Sequence, residues 1–130
     1  MPAGLPGRAI GQTREQSMEC TESRDGNVLV AAINGRIDGT SAPAMETAVL
    51  DLVQDTDGAV ICDMAGTPYI SSAGLRSTLI IAKKLAVKGV KFMVCNLGDQ
   101  PETVFRESGF HKIIKSAETL EAALAKVRDA

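Results

Sequence analysis

The chain has no tryptophan, one tyrosine and three phenylalanines among its 130 residues. Such scarcity argues against stacking platforms for sugars or single-stranded nucleic acid. There is one histidine, His111 in "GFHKII". A Ser-His-Asp or Cys-His group could therefore be assembled only around that residue, and a surface or capping role suits it better. No Walker A sequence and no G-x-G-x-x-G occur, and "SSAGL" lacks the first glycine of the G-x-S-x-G elbow. These absences speak against an enzyme. Neither charge dominates: the net charge is −2. With no basic stripe, a nucleic-acid partner is not expected. The longest apolar run, "VLVAAI" from Val28 to Ile33, is far too short to cross a bilayer, so direct membrane insertion is not expected. "MPAGLPGRAIGQTREQ" lacks the continuous apolar core of a secretory signal. A soluble, cytoplasmic protein is the expectation. The three cysteines, Cys20, Cys62 and Cys95, are odd in number and widely spaced. They support neither a disulfide framework nor a zinc site, and nothing implies a cofactor.

What is present fits one domain. Residues 1–16 carry Pro, Gly and polar residues without periodicity and read as a flexible tail; residues 17–130 read as the domain. "SMECTESRDGNVLVAAING" reads as a hairpin turning at Asp25-Gly26-Asn27. Its second arm is nearly all apolar, as in a central strand covered on both faces. After "GRIDGTS", Thr40 or Ser41 should cap a helix with Pro43 in its first turn. Met45, Ala48, Val49, Leu52 and Val53 form its apolar stripe. "AVICDM" is a buried strand. The helix after "YISSAGL" repeats Leu75, Leu79, Ala82 and Ala86 inward and stops at Gly89. "KFMVC" is a strand and "QPETVFRESGF" a short helix. "KII" is a brief strand, and "AETLEAALAKVRDA" closes the chain with Leu120, Ala123, Leu124 and Val127 inward.

The order β-β-α-β-α-β-α-β-α predicts an α/β fold. It has a mixed, mostly parallel sheet of four to five strands and about four helices. In such sheets partners gather at the carboxyl ends of the strands. "GRIDGTS" and "YISSAGL" each follow a strand and lead into a helix, so they should share that edge. Asp63 should satisfy backbone donors at its strand end.

The serine pair Ser71-Ser72 stands where a buried strand gives way to a helix. A serine there caps the helix, worth about 1 kcal/mol, and one serine suffices. A helix N-terminus also offers free amides and a partial positive charge. A phosphate would be tolerated there and would change the surface. The residues alone leave both readings open.

Three segments, "NGRIDGTSAPAMETAVLDL", "AVICDMAGTPYISSAGLRSTLIIAKKLAVKGVKFMVCNL" and "VFRESGFHKIIKSAETLEAALAKV", resemble the anti-sigma factor antagonist family, built on the STAS domain. The similarity covers roughly residues 18–128. In that family the turn reads aromatic-hydrophobic-Asp-Ser-Ser/Thr-Gly-Leu; here it is Tyr69-Ile70-Ser71-Ser72-Ala73-Gly74-Leu75. The family's phosphorylated serine matches Ser72, which is then both phosphoacceptor and cap. Asp38 matches an acidic residue of the family's first helix-leading loop. Ser71 replaces the usual Asp, removing a charge beside the acceptor and making Ser71 a second candidate. Ala73 replaces a hydroxyl residue.

The resemblance implies a non-catalytic switch. Unphosphorylated, it would bind an anti-sigma factor with serine kinase activity and release a sigma factor. Phosphorylation at Ser72 would end that binding, and a metal-dependent serine phosphatase would reset it. The contact surface would include Asp38, Gly39, Thr40, Ser71, Ser72, Ala73, Gly74, Leu75 and Arg76. The alternative is a docking subunit of a lipid-transport ATPase complex or of a stress-signalling assembly.

Overall fold

A computed structural model describes residues 18–129. The 1–16 segment, read above as a tail, and the boundary at residue 17 lie outside the described residues. The elements are β1 (Met18–Asp25), β2 (Val28–Gly35), α1 (Ala42–Leu52), β3 (Ala59–Gly66), α2 (Ser72–Val87), β4 (Lys91–Cys95), α3 (Asp99–Glu107), β5 (Ser116–Ala117) and α4 (Leu120–Asp129). A 3-10 turn, Phe110–Lys112, precedes β5.

The strands lie in the order β1-β2-β3-β4-β5. β1 runs antiparallel to β2 and the rest are parallel. The hairpin turns at Gly26, whose φ of +62° costs glycine little. Each crossover then steps one strand in the same direction. Right-handed connections of that kind put successive helices on one face. Leu29, Ala31 and Ile33 of β2 accordingly pack with Met45 and Val49 of α1, Ile81 and Leu85 of α2, and Phe105 of α3. Val28 and Val30 face the opposite layer, with Ala123 and Val127 of α4. The apolar second arm of the hairpin is thus a two-faced interior strand, as its composition requires.

Three local expectations are corrected. "KII" is not a strand: Gly109 takes φ +82° and a 3-10 turn follows. That turn swings Ile114 into the core and leaves Ile113 at the surface, and pairing resumes only at Ser116. Neither Thr40 nor Ser41 caps α1 through its side chain; Ser41 is the N-cap residue, but its hydroxyl makes no cap bond. The buried face of α2 runs through Leu75, Thr78, Ile81 and Leu85, with Ala86 exposed. Thr78 can lie inward because its hydroxyl donates to the Gly74 carbonyl at 2.8 Å.

Thr67 closes the loop after β3. It is buried, and its hydroxyl donates to the Ile33 carbonyl at 2.8 Å. Thr67→Val keeps the shape and removes the donor. The expected loss is about 1–2 kcal/mol in urea unfolding, with an unchanged denaturant slope.

Candidate functional site

The loops after β2 and β3 are joined by backbone. The Ile37 amide donates to the Tyr69 carbonyl at 2.9 Å, and the Ser71 amide donates to the Ile37 carbonyl at 2.8 Å. Ile37 and Ile70 thereby form an isolated parallel bridge. Asp38 and Ser71 each follow directly on a bridge residue, so "GRIDGTS" and "YISSAGL" lie side by side. The Arg36 guanidinium stacks over the Tyr69 ring, 4.2 Å from its centroid, on the same pairing.

Asp38 turns its own loop. Its Oδ1 accepts from the amides of Thr40 at 3.0 Å and Ser41 at 3.1 Å. The buried Ser41 hydroxyl donates to the Arg36 carbonyl at 2.7 Å and accepts from the Asp38 amide at 2.9 Å. The Ser41 amide, then the Thr40 amide, hold the Asp38 carboxyl below the usual carboxylate range. Asp38 is therefore a fixed anion. Gly39 and Thr40 are exposed beside it.

The serine pair divides its roles differently from the sequence reading. Ser71 is the N-cap: its hydroxyl accepts from the Gly74 amide at 3.2 Å, and its carbonyl accepts from the Leu75 amide at 2.9 Å. Ser72, expected to be acceptor and cap together, is the first helical residue and does not cap. It is exposed, and among the described residues nothing bonds its hydroxyl. The first turn of α2 carries no acidic residue. Ala73 is half-buried and Arg76 exposed, whereas Gly74 and Leu75 are buried. An added Cβ on Gly74 would lie 2.5 Å from Ile70 Cγ1 and 2.7 Å from Ile37 Cγ2. The start of α2 thus rests directly on the paired loops, and only a residue without a side chain allows that approach.

Sequence reasoning missed Gln100, the second residue of α3. Its Oε1 accepts from the Ile70 amide at 2.9 Å and its Nε2 donates to the Ile70 carbonyl at 3.1 Å. Ile70 is fully buried. One carboxamide therefore treats it as a neighbouring strand would. At the same sheet edge Asn96 takes φ +58°, and its Nδ2 donates to Asp63 Oδ1 at 3.0 Å. Asp63 also accepts from the Ala65 amide at 3.0 Å, a backbone donor as expected, although β3 continues past it to Gly66. An asparagine closing a strand can signal a left-handed residue; nothing in "GDQP" marks Gln100.

His111 is exposed on the 3-10 turn, with Nδ1 3.4 Å from the Phe105 carbonyl oxygen. Burial pushes the thiols of Cys20 to about 11 and Cys95 to about 12, and raises that of buried Cys62 as well. Among the described residues no cluster of three or more His, Cys, Asp or Glu could hold a metal ion. No helix among them is long and apolar enough to cross a membrane.

The STAS domain family model matches residues 21–123. The anti-sigma-F factor antagonist RsfB of Mycobacterium tuberculosis is 30% identical over 112 residues, covering 86% of this chain and 91% of that protein. The Bordetella bronchiseptica protein BtrV, provisionally designated an anti-sigma factor antagonist, is 32% identical over 113 residues, covering 87% of this chain and 97% of BtrV. The crystal structure of an anti-sigma factor antagonist from Mycobacterium paratuberculosis superposes with a TM-score of 0.78 at 28% identity, over 86% of this chain and 95% of that one.

Proposed function

The chain belongs to the STAS domain family, among the anti-sigma factor antagonists, and from that premise we propose that it is a partner switch with Ser72 as its phosphoacceptor. The observation that carries this is the division of labour in the serine pair. Ser71 caps α2, so Ser72 is left exposed and unbonded at the mouth of the same helix.

In the unphosphorylated state the protein binds an anti-sigma factor with serine kinase activity, and a sigma factor is released. The contact surface is the joined edge: Asp38, Gly39 and Thr40 from one loop, and Ser71, Ser72, Ala73 and Arg76 from the other. Gly74 and Leu75 support it from beneath. The kinase transfers the γ-phosphoryl group of ATP to Ser72 Oγ. The phosphate, with about −1.5 to −2 charges, sits at the positive end of α2, so the domain keeps its fold. Arg76 is one turn further along the helix at the i+4 position, where it can pair with the phosphate. In the interface the same charge faces desolvation and the fixed Asp38 anion, and the complex dissociates. A metal-dependent serine phosphatase resets the switch. The domain is substrate and binding module, with no reaction of its own.

Baits of wild type, Ser72→Asp and Ser72→Ala, offered to lysate of the source cells, test this. Wild type and Ser72→Ala should capture a kinase-type anti-sigma factor and Ser72→Asp should not. With ATP, only wild type should gain phosphate. Ser72→Ala accepting phosphate as fast as wild type sinks the assignment of the acceptor. All three baits capturing the same transporter or scaffold would instead support the docking-subunit reading, in which Ser71 alone explains the pair as a cap.

A further inference from the structure

We propose that Gln100 is the positioning residue of the serine turn: its carboxamide fixes the orientation in which Ser72 is offered and ties α3 to the switch. The geometry stands on its own; the consequence for modification rests on the switch reading above.

Residues 69–71 behave as a very short strand. One edge is satisfied by Ile37, through the Tyr69 carbonyl and the Ser71 amide. The other edge presents the amide and carbonyl of Ile70, and both go to Gln100, at 2.9 and 3.1 Å. Ile70 is fully buried, so neither group has water as a substitute. Only a side-chain amide, or a protonated carboxyl, supplies an acceptor and a donor side by side. Ser72 stands two residues further on. Its backbone direction is inherited from this segment and from the Ser71 cap. Gln100 belongs to α3, whose Phe105 is locked in the core and whose Pro101 is buried. The clamp is therefore mounted on a rigid element, and any displacement of α3 pulls on the turn.

The test uses the full chain, labelled with nitrogen-15, as wild type, Gln100→Leu and Gln100→Glu. Amide hydrogen exchange is read at Ile70, with Ser71, bonded to Ile37, as the internal control. In Gln100→Leu the Ile70 amide should exchange at least about tenfold faster than in wild type, relative to the Ser71 amide. Gln100→Glu keeps an acceptor for the Ile70 amide but sets a carboxylate oxygen against the Ile70 carbonyl where Nε2 donated, so near neutral pH its protection should fall between wild type and Gln100→Leu. It should regain protection, corrected for intrinsic exchange, as pH falls and its carboxyl takes up a proton. A packing role alone predicts no such recovery. Unchanged Ile70 exchange in Gln100→Leu, or a pH-independent Gln100→Glu, overturns the clamp.

The second arm uses the kinase captured by the wild-type bait. Gln100→Leu should be phosphorylated at Ser72 with kcat/KM at least about tenfold below wild type, and Gln100→Glu should recover part of it at lower pH relative to wild type measured at the same pH. Equal kcat and KM in wild type and Gln100→Leu, with Ile70 exchange altered, would overturn the positioning role. Failure to capture any kinase, or to phosphorylate wild type, would overturn the switch reading, and with it the claimed consequence for Ser72. The exchange arm would still decide the clamp.

Discussion

Arg24→Ala should unfold at a urea concentration about 1–3 M lower than wild type, with an unchanged slope. The reason lies in Asp57, whose side chain is 1% exposed beneath the end of α1. Arg24 reaches it from β1 with both prongs: Nε donates to Oδ1 and Nη2 to Oδ2, each at 3.0 Å. Nη2 also donates to the Leu52 carbonyl at 2.7 Å, and Glu22 meets the other side of the guanidinium. The remaining Asp57 capacity takes the Gln54 amide at 2.8 Å. Removing Arg24 leaves a buried carboxylate with one backbone donor. Stranding such a group costs about 3 kcal/mol. Arg24→Lys should recover only part of this, because an ammonium cannot make the two-pronged contact. A midpoint within about 0.3 M of wild type for Arg24→Ala, given the usual slope, would show that the pair does not hold the edge strand to the helix layer.

The same pair sets an acid limit. The Arg24 guanidinium, aided by the Gln54 amide, holds the Asp57 carboxyl below its ordinary range, against the opposing push of burial. A depressed carboxyl in the folded state contributes stability that is fully present above its unfolded value, near 3.9. That contribution is lost as pH falls through the lower, folded value. Between those two values the wild type should lose stability faster with acid than Arg24→Ala, and the two curves should converge at the acid end.

Much of this was written in the sequence as pattern. The apolar run of β2 forces an interior strand, and sequential strands with helical crossovers force the two loops onto one edge. The resemblance singled out Ser72, and the adjoining Ser71 could be read only as one of two possible caps. What could not be read depended on polar groups finding partners at long range. The inward face of α2 includes Thr78, admitted because the Gly74 carbonyl is available to its hydroxyl; counting apolar residues shifts that face toward Ala86. Asp38, not Ser41, turns the first loop, because the Ser41 hydroxyl is drawn inward to Arg36. Gln100 lies 30 positions from Ile70, with no local signal that its amide would be used as a strand edge.

Gly74→Val should destabilise the fold and disable the switch together. Even a bare Cβ meets Ile70 and Ile37 side-chain atoms at 2.5 and 2.7 Å. Both isoleucines are fully buried and belong to the bridge that joins the two loops. They cannot swing outward without vacating core, so the start of α2 must lift. Overpacking of this kind costs about 1–3 kcal/mol, and valine adds branching at the tightest point. Lifting α2 also strains the Ser71–Gly74 cap bond, so Ser72 is offered in a different direction. Kinase capture and Ser72 phosphorylation should therefore fall by more than the folded fraction does. Gly39 is the control. It lies in the same proposed surface, and a Cβ there meets nothing within 4 Å. Gly39→Ala should leave the unfolding midpoint unchanged, so any loss of capture it causes is a direct contact effect. If Gly74→Val stayed as stable and as readily phosphorylated as wild type, α2 would not be held by its approach to Ile37 and Ile70. The link drawn between the bridged loops and the offered serine would then fail at its first step.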